Sequence, residues 1–475
     1  VKPKWPLVLG ATVAFAALAA GLVFGLDVSS DEGFYAQAAR RVASGLVPYR
    51  DFGFTQGPVV PYLNGAAMAL FGDGLLGQRV AQAAWGVVQM AVLMLLAARL
   101  GDVLAGAAAA AVLLLSGHWL ENLTLGNAYA LSALFVALAA LAFASLRRDG
   151  PRLAATLAFG ALAAGCRLSL APFGAILALV LVVRGMRFSR TVLAAVLGVA
   201  FGLALYGPFL LADADNTVFW TLRFHLATAI ERRGLPSLAE AFALAPAAVL
   251  VAAAALGGWT RVAEAPELED ARALFLAALA TAALNLAMKA PYGGYVTPLV
   301  GVLAVSGARL ALAAWPARRT LLTSGFALAA AAGAAVFRPG LRPEALEEVA
   351  RAAAFVRAHT APSARVACTL PEVALQAGRD VLPGLEMGKF GFTEEMPPAA
   401  AARRRLAHAD AVEAALREKS VGAVVLSRSR NWNFGWSAPS LRPTSAATLA
   451  RLRAALDEGW RVAYADGSVL VLLPR

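Results

Sequence analysis

The sequence predicts an all-α polytopic membrane domain followed by a small C-terminal α/β domain. Of the 475 residues, 60% are hydrophobic and 15% charged, a balance foreign to an ordinary soluble globular chain. The apolar residues fall into runs of membrane-spanning length, for which about 20 residues suffice. From about residue 338 these runs give way to amphipathic segments alternating with short β-type stretches. The net charge is +12, and within residues 1–337 most arginines fall in the short loops between apolar runs, as the positive-inside rule predicts, so no nucleic-acid partner is expected.

Apolar runs lie near 6–26, 76–98, 102–117, 128–146, 153–166, 169–183, 191–212, 238–259, 273–288, 293–314 and 320–337, which predicts about eleven transmembrane helices. The first follows Lys2 and Lys4 and is long enough to span, so it reads as an uncleaved helix with its N-terminus in the cytoplasm. Several runs are rich in Ala and Gly, which suits close helix packing in lipid. Arg99, Arg147, Arg148, Arg152, Arg184, Arg187, Arg190, Arg261, Arg272, Arg318 and Arg319 sit in alternate loops and mark those loops as cytoplasmic. The opposite side then receives the long 27–75 loop, the 117–127 loop, the 213–237 segment, the 289–293 turn and everything after Arg338. The expected division is a transmembrane domain, 1–337, and an extracytoplasmic α/β domain, 338–475.

Within that second domain the pattern predicts an amphipathic helix at 343–360, a β-like run Arg365–Leu370, a helical stretch at 398–418, a strand Val421–Leu426, a helix at 444–458 and a strand Val469–Leu473. The aromatic group Trp432, Phe434 and Trp436 suits contact with sugar or with the membrane interface, and equally plain packing of its loop. No internal repeat is visible, which argues against the inverted-repeat design of many transporters. Cys166 and Cys368 form no CxxC and no Cys/His cluster, so neither a disulfide framework nor a zinc site is expected.

The most informative stretch is Asp31-Glu32-Gly33-Phe34-Tyr35, followed by Tyr49-Arg50-Asp51 and Gln56-Gly57-Pro58. It puts acids just beyond the first apolar run, where a lipid headgroup and an aqueous substrate meet. With Pro61-Tyr62, Phe71-Gly72 and Arg79 at the second run, this order resembles the polytopic C-type glycosyltransferases, including relatives of protein O-mannosyltransferases and lipid A aminoarabinose transferases. Tyr295-x-x-Pro298 entering a late run, and the Gly378-Arg379 to Pro383-Gly384 stretch, are similar to bacterial members. The resemblance covers most of the layout, while its specific motif is confined to about residues 27–80.

The resemblance implies an enzyme of the bacterial cytoplasmic (inner) membrane that transfers a sugar from a polyprenyl-phosphate donor to an extracytoplasmic acceptor, usually with inversion. An acceptor hydroxyl is a poor nucleophile and needs a carboxylate to take its proton. Asp31 matches the family's loop aspartate and is the expected base. Glu32 either orients that base or faces solvent, and Asp51 positions the acceptor, raises the basicity of Asp31 by like-charge proximity, or fixes its turn. Gln56-Gly57 stands where the aminoarabinose transferases have a Glu-Lys pair, a departure that leaves Gln56 to bond a sugar hydroxyl.

The departing phosphate needs cations. Arg167 interrupts two apolar runs, where a guanidinium is costly without a partner, and Lys289 lies near Tyr292 and Tyr295. These four form the expected donor-phosphate site; Tyr35, Gln56, Glu121, Arg223 and His225 form the expected substrate site. Arg232-Arg233 suits contact with anionic membrane lipid. Asp213-Ala-Asp215 is a DxD, which leaves a divalent cation open as a cofactor, although no metal ligand is assigned. The acceptor is an envelope lipid, glycan or protein. Two other classes compete: a lipid or glycan transporter or flippase, with the same charges lining a pathway, and a non-catalytic envelope assembly protein.

Overall fold

A computed structural model describes residues 5–29, 31–185, 188–228, 239, 242–288, 293–336, 339–428 and 433–475. Its contacts divide the chain into two units: Val1–Val23, Gln82–Gly207 and Arg232–Leu341 form the first, and Phe24–Ala81, Pro208–Glu231 and Arg342–Arg475 the second.

The first unit is helical. Its main helices are α1 (Trp5–Gly25), α4 (Leu75–Arg99), α5 (Val103–Leu114), α6 (Gly117–Thr124), α7 (Tyr129–Ser145), α8 (Asp149–Cys166), α9 (Ala171–Val183), α10 (Phe188–Val218), α11 (Pro246–Gly257), α12 (Glu269–Leu286), α13 (Thr297–Ala314) and α14 (Arg319–Val336), the numbers α2 and α3 belonging to the second unit. Each apolar run of the sequence coincides with one of these helices. The buried side chains are mainly Ala, Leu and Val, with Phe15 meeting Trp119 edge-on at 6.1 Å between ring centroids. The Trp119 indole N–H donates to the Thr297 carbonyl at 3.2 Å, which satisfies a buried donor in an apolar setting.

Not every one of the eleven apolar runs forms a described helix that is long enough by itself to span a bilayer. Among the described residues, five helices are long and apolar enough to cross a membrane, or six if α5 and α6, bent by 73°, count as one. Helix length is the physical reason. The 12 residues of α11 rise only about 18 Å, against a hydrocarbon core of about 30 Å.

The arginine-bearing loops that the sequence assigns to one side converge within this unit. Arg152 and Arg184 both bond Asp270, at 2.7 and 2.8 Å, and Arg184 also reaches Glu269 at 2.7 Å. Asp102 caps α5, accepting from the Leu104 and Ala105 backbone, while it pairs with Arg309 and Arg319. Arg261 lies over the Trp315 ring at 3.7 Å.

The second unit contains α2 (Glu32–Ala43), α3 (Val59–Phe71) and an α/β fold built from the C-terminal segment. Its five-stranded sheet has the order β2-β1-β5-β9-β8, with β1 (Arg365–Cys368), β2 (Asp380–Val381), β5 (Ala423–Ser427), β8 (Trp460–Asp466) and β9 (Val469–Pro474). β1 runs parallel to β2 and β5, whereas β9 pairs antiparallel with β5 and β8. Helices α15 (Ala345–His359), α16 (Pro371–Ala377), α17 (Ala409–Arg417) and α18 (Ala446–Gly459) complete it, with two further strand pairs, β3 (Phe392–Thr393) with β4 (Ala407–His408) and β6 (Trp436–Ser437) with β7 (Arg442–Pro443).

The expected helices at 343–360 and 444–458 and the strands near 365, 421 and 469 are present. The expected helix at 398–418 is broken in two, at Pro398–Arg403 and α17. Arg405 adopts φ +60°, and Ala407–His408 (β4) then pairs with Phe392–Thr393 (β3). The backbone hydrogen bonds of that pairing replace those of a continuous helix.

Candidate active site

The sequence acids lie at the start of α2. Glu32, its first residue, is fully buried, a position that a carboxylate tolerates only when paired and hydrogen-bonded. Arg79, equally buried, supplies the partner: its Nε donates to Oε1 at 2.8 Å and a terminal nitrogen to Oε2 at 2.6 Å. The same guanidinium donates to the carbonyls of Leu26 and Asp27, at 3.0 and 2.8 Å. Glu32 also accepts from the Ser29 N–H at 3.0 Å. The pair clamps the chain that enters α2, and Glu32 does not face solvent.

Asp31 occupies the N-cap position but makes no side-chain cap hydrogen bond. Its side chain is 44% exposed, and Oδ1 lies 3.4 Å from the Lys389 Nζ. Of the two acids the sequence offers at this point, Asp31 is therefore the one open to solvent.

Helix α2 reaches this place because its other face docks on α16. The Gln37 amide donates to the Pro371 carbonyl at 3.0 Å, and Arg40 donates to the carbonyls of Leu375 and Arg379 at 3.0 and 3.2 Å. Gly33 permits the approach, since a Cβ there would sit 2.7 Å from the Glu372 nitrogen and 2.9 Å from the Pro371 ring. Arg379 of the Gly-Arg-x-x-x-Pro-Gly stretch bonds the carbonyls of Arg357 and Thr360, at 3.0 and 2.8 Å, and so ties this part of the domain together.

The loop after α2 is fixed by its own backbone. Asp51 accepts from the Val47 N–H at 2.7 Å and is held by Arg50 at 2.9 and 2.8 Å. The hydrogen bond from Arg50 holds the Asp51 carboxyl below the usual range, against the opposing effect of burial. Asp51 thus serves the turn. The Tyr49 hydroxyl donates to the Gln56 carbonyl at 2.6 Å, and the His225 Nε2 lies 2.7 Å from the Thr55 carbonyl. His225 braces the backbone next to Gln56, whose side chain is half-buried. Tyr35 is buried between the rings of Phe34 and Phe54, at 4.3 and 5.9 Å.

Asp213-Ala-Asp215 marks a break in α10, where Asp213 leaves helical geometry. Asp213 accepts from the backbone and side-chain nitrogens of Asn216, at 3.0 and 2.8 Å, as an N-cap does. Asp215 pairs with Arg404 at 2.8 Å and with Arg223 at 3.2 Å. The motif is a helix cap beside an ion pair. No group of three or more His, Cys, Asp or Glu side chains that could hold a metal occurs among the described residues.

Other expected residues belong to the first unit. Arg167 follows α8, is 6% exposed, and lies over the rings of Tyr129 and Tyr295, at 4.9 and 4.5 Å. Two aromatic faces offset the cost of burying this guanidinium. Glu121 meets the His118 ring at 3.0 Å and accepts from the Gly340 N–H at 3.3 Å. Lys289, Tyr292, Arg232, Arg233 and Trp432 lie outside the described residues. Phe434 is buried against Phe392 at 5.2 Å, so it packs its loop.

Sequence reasoning missed Lys389 entirely. It noted Arg79 but gave it no partner, although a charged residue entering an apolar run signals a buried pair.

Residues 55–211 match the family model of dolichyl-phosphate-mannose-protein mannosyltransferases. ArnT from Cupriavidus metallidurans, crystallised with undecaprenyl phosphate, superposes with a TM-score of 0.67 at 16% identity, covering 98% of both chains. The archaeal oligosaccharyltransferase AglB from Archaeoglobus fulgidus, in complex with an inhibitory peptide and a dolichol-phosphate, gives 0.51 at 14% identity over 98% of this chain and 74% of its own. The mycobacterial arabinofuranosyltransferase AftD gives 0.54 at 15% identity over 100% of this chain and 40% of its own. No curated protein matches the sequence. The fold is that of the C-type glycosyltransferases, here a multi-pass membrane protein with an α/β extension.

Proposed function

We propose that the chain is a glycosyltransferase that takes its sugar from a polyprenyl-phosphate donor, with Asp31 as the general base. The observation that carries this reading is the partly exposed Asp31 carboxylate on a helix N-terminus anchored by the buried Glu32–Arg79 pair. The mannosyltransferase family match over residues 55–211 and the polyprenyl phosphates bound by ArnT and AglB support the donor class.

In the reaction Asp31 accepts the proton of an acceptor hydroxyl as that oxygen bonds the anomeric carbon. The bond from that carbon to the phosphate oxygen breaks, and polyprenyl phosphate leaves with the electron pair. Attack from the face opposite the leaving group inverts the anomeric centre. On this reading the donor sugar is a hexose or pentose, the acceptor an envelope lipid, glycan or protein, and the enzyme resides in the bacterial cytoplasmic membrane with its N-terminus inside and residues 338–475 outside.

The test is turnover of a panel of polyprenyl-phosphate sugars by the purified protein in lipid. We expect release of polyprenyl phosphate from at least one donor, reduced on the order of 10²–10⁴-fold in Asp31→Asn. Equal rates for the two proteins would remove Asp31 as the base, and no turnover of any donor would remove the enzyme assignment.

A further inference from the structure

We propose that Lys389 is a positioning residue for Asp31, which makes the C-terminal α/β domain part of the catalytic apparatus. The inference rests on the reading of Asp31 as the base. Only 11% of the Lys389 side chain is exposed, and its Nζ lies 3.4 Å from Asp31 Oδ1. A nearly buried ammonium is stable only beside an anion or comparable donor of electron density. Asp31 provides the first and the Phe390 ring the second, with the Lys389 Nζ 4.8 Å from its centroid.

The turn that carries this lysine is fixed from both sides. Gly388 takes φ +54°, and a Cβ there would lie 3.0 Å from both the Pro371 ring and the Thr369 carbonyl. Phe390 meets Phe34 edge-on at 5.8 Å, and Phe34 sits one helical turn after Asp31 on α2. Lysine and carboxylate are therefore held by one packed aromatic group. The contact to Oδ1 fixes the carboxylate that is to receive the acceptor proton. Misplacing a reacting group by about 1 Å costs on the order of 100-fold in rate.

The experiment compares Lys389→Met, Lys389→Gln and Lys389→Arg with the wild type in lipid, on whichever polyprenyl-phosphate sugar it turns over, alongside thermal unfolding and binding of polyprenyl phosphate alone. We expect kcat to fall about 10- to 100-fold in the Met and Gln variants with the donor KM within about twofold, and Arg to restore most of the rate. Adding Lys389→Met to Asp31→Asn should cost nothing further, because the lysine acts through the carboxylate. A kcat within about twofold of wild type in either folded Met or Gln variant, or an additive loss in the double variant, would overturn the inference. Lys389→Met fully active beside an inactive Asp31→Asn would sink the inference alone, whereas an active Asp31→Asn would sink the reading beneath it.

Discussion

At the scale of single residues, two acids one position apart have opposite fates, and charge burial decides which. Glu32 is sealed against Arg79, so removing the arginine strands a buried carboxylate. Arg79→Met is expected to destabilise the protein by about 3–5 kcal/mol, while Glu32→Met with Arg79→Met recovers most of that loss. Thermal unfolding in detergent measures both. Asp51 gives a pH test. Its native pKa is depressed, so the stability it adds is present above the unfolded value of about 4 and is lost as the pH falls through the native one. The unfolding midpoint of Asp51→Asn should therefore fall less steeply than that of wild type below about pH 4. The sequence displays Asp31, Glu32 and Asp51 openly because acids in an otherwise apolar chain stand out. It hides Lys389, because its contact with Asp31 joins opposite ends of the chain and has no local spacing to reveal it.

At the scale of elements, α2 positions the proposed base because its far side meets α16. The chain reads as a helix there, yet nothing local announces its partner: α16 has only 7 residues, too few for a helical period to register. Gly33 is the element's point of contact, and Gly33→Val should push α2 off the α16 N-terminus. We expect polyprenyl-phosphate release to fall at least about 10-fold while the protein still reaches the membrane, as a displaced base requires. Activity equal to wild type would mean that the α2–α16 contact does not set the geometry. The broken helix at 398–418 teaches the same lesson. Its break carries neither Gly nor Pro, and only the pairing of Ala407–His408 with Phe392–Thr393, a tertiary event, interrupts an alanine-rich stretch. The edge strand Trp460–Asp466 escaped notice because its exposed face breaks the apolar alternation that marks a strand.

At the scale of the whole molecule, hydropathy locates every long helix but not the number of crossings, since length alone separates a span from a shorter buried helix. Orientation is open to direct test because both native cysteines, Cys166 and Cys368, are buried and will not compete for a polar thiol reagent. Arg148 and Ser363 are exposed. The arginine distribution puts the loop bearing Arg148 inside and the domain bearing Ser363 outside. Ser363→Cys should therefore react with a membrane-impermeant maleimide in intact cells, and Arg148→Cys only after permeabilisation. The reverse pattern would place Asp31 and Lys389, which lie in the same unit as Ser363, on the cytoplasmic side. The proposed base would then act on an acceptor inside the cell, and an extracytoplasmic transferase would be untenable.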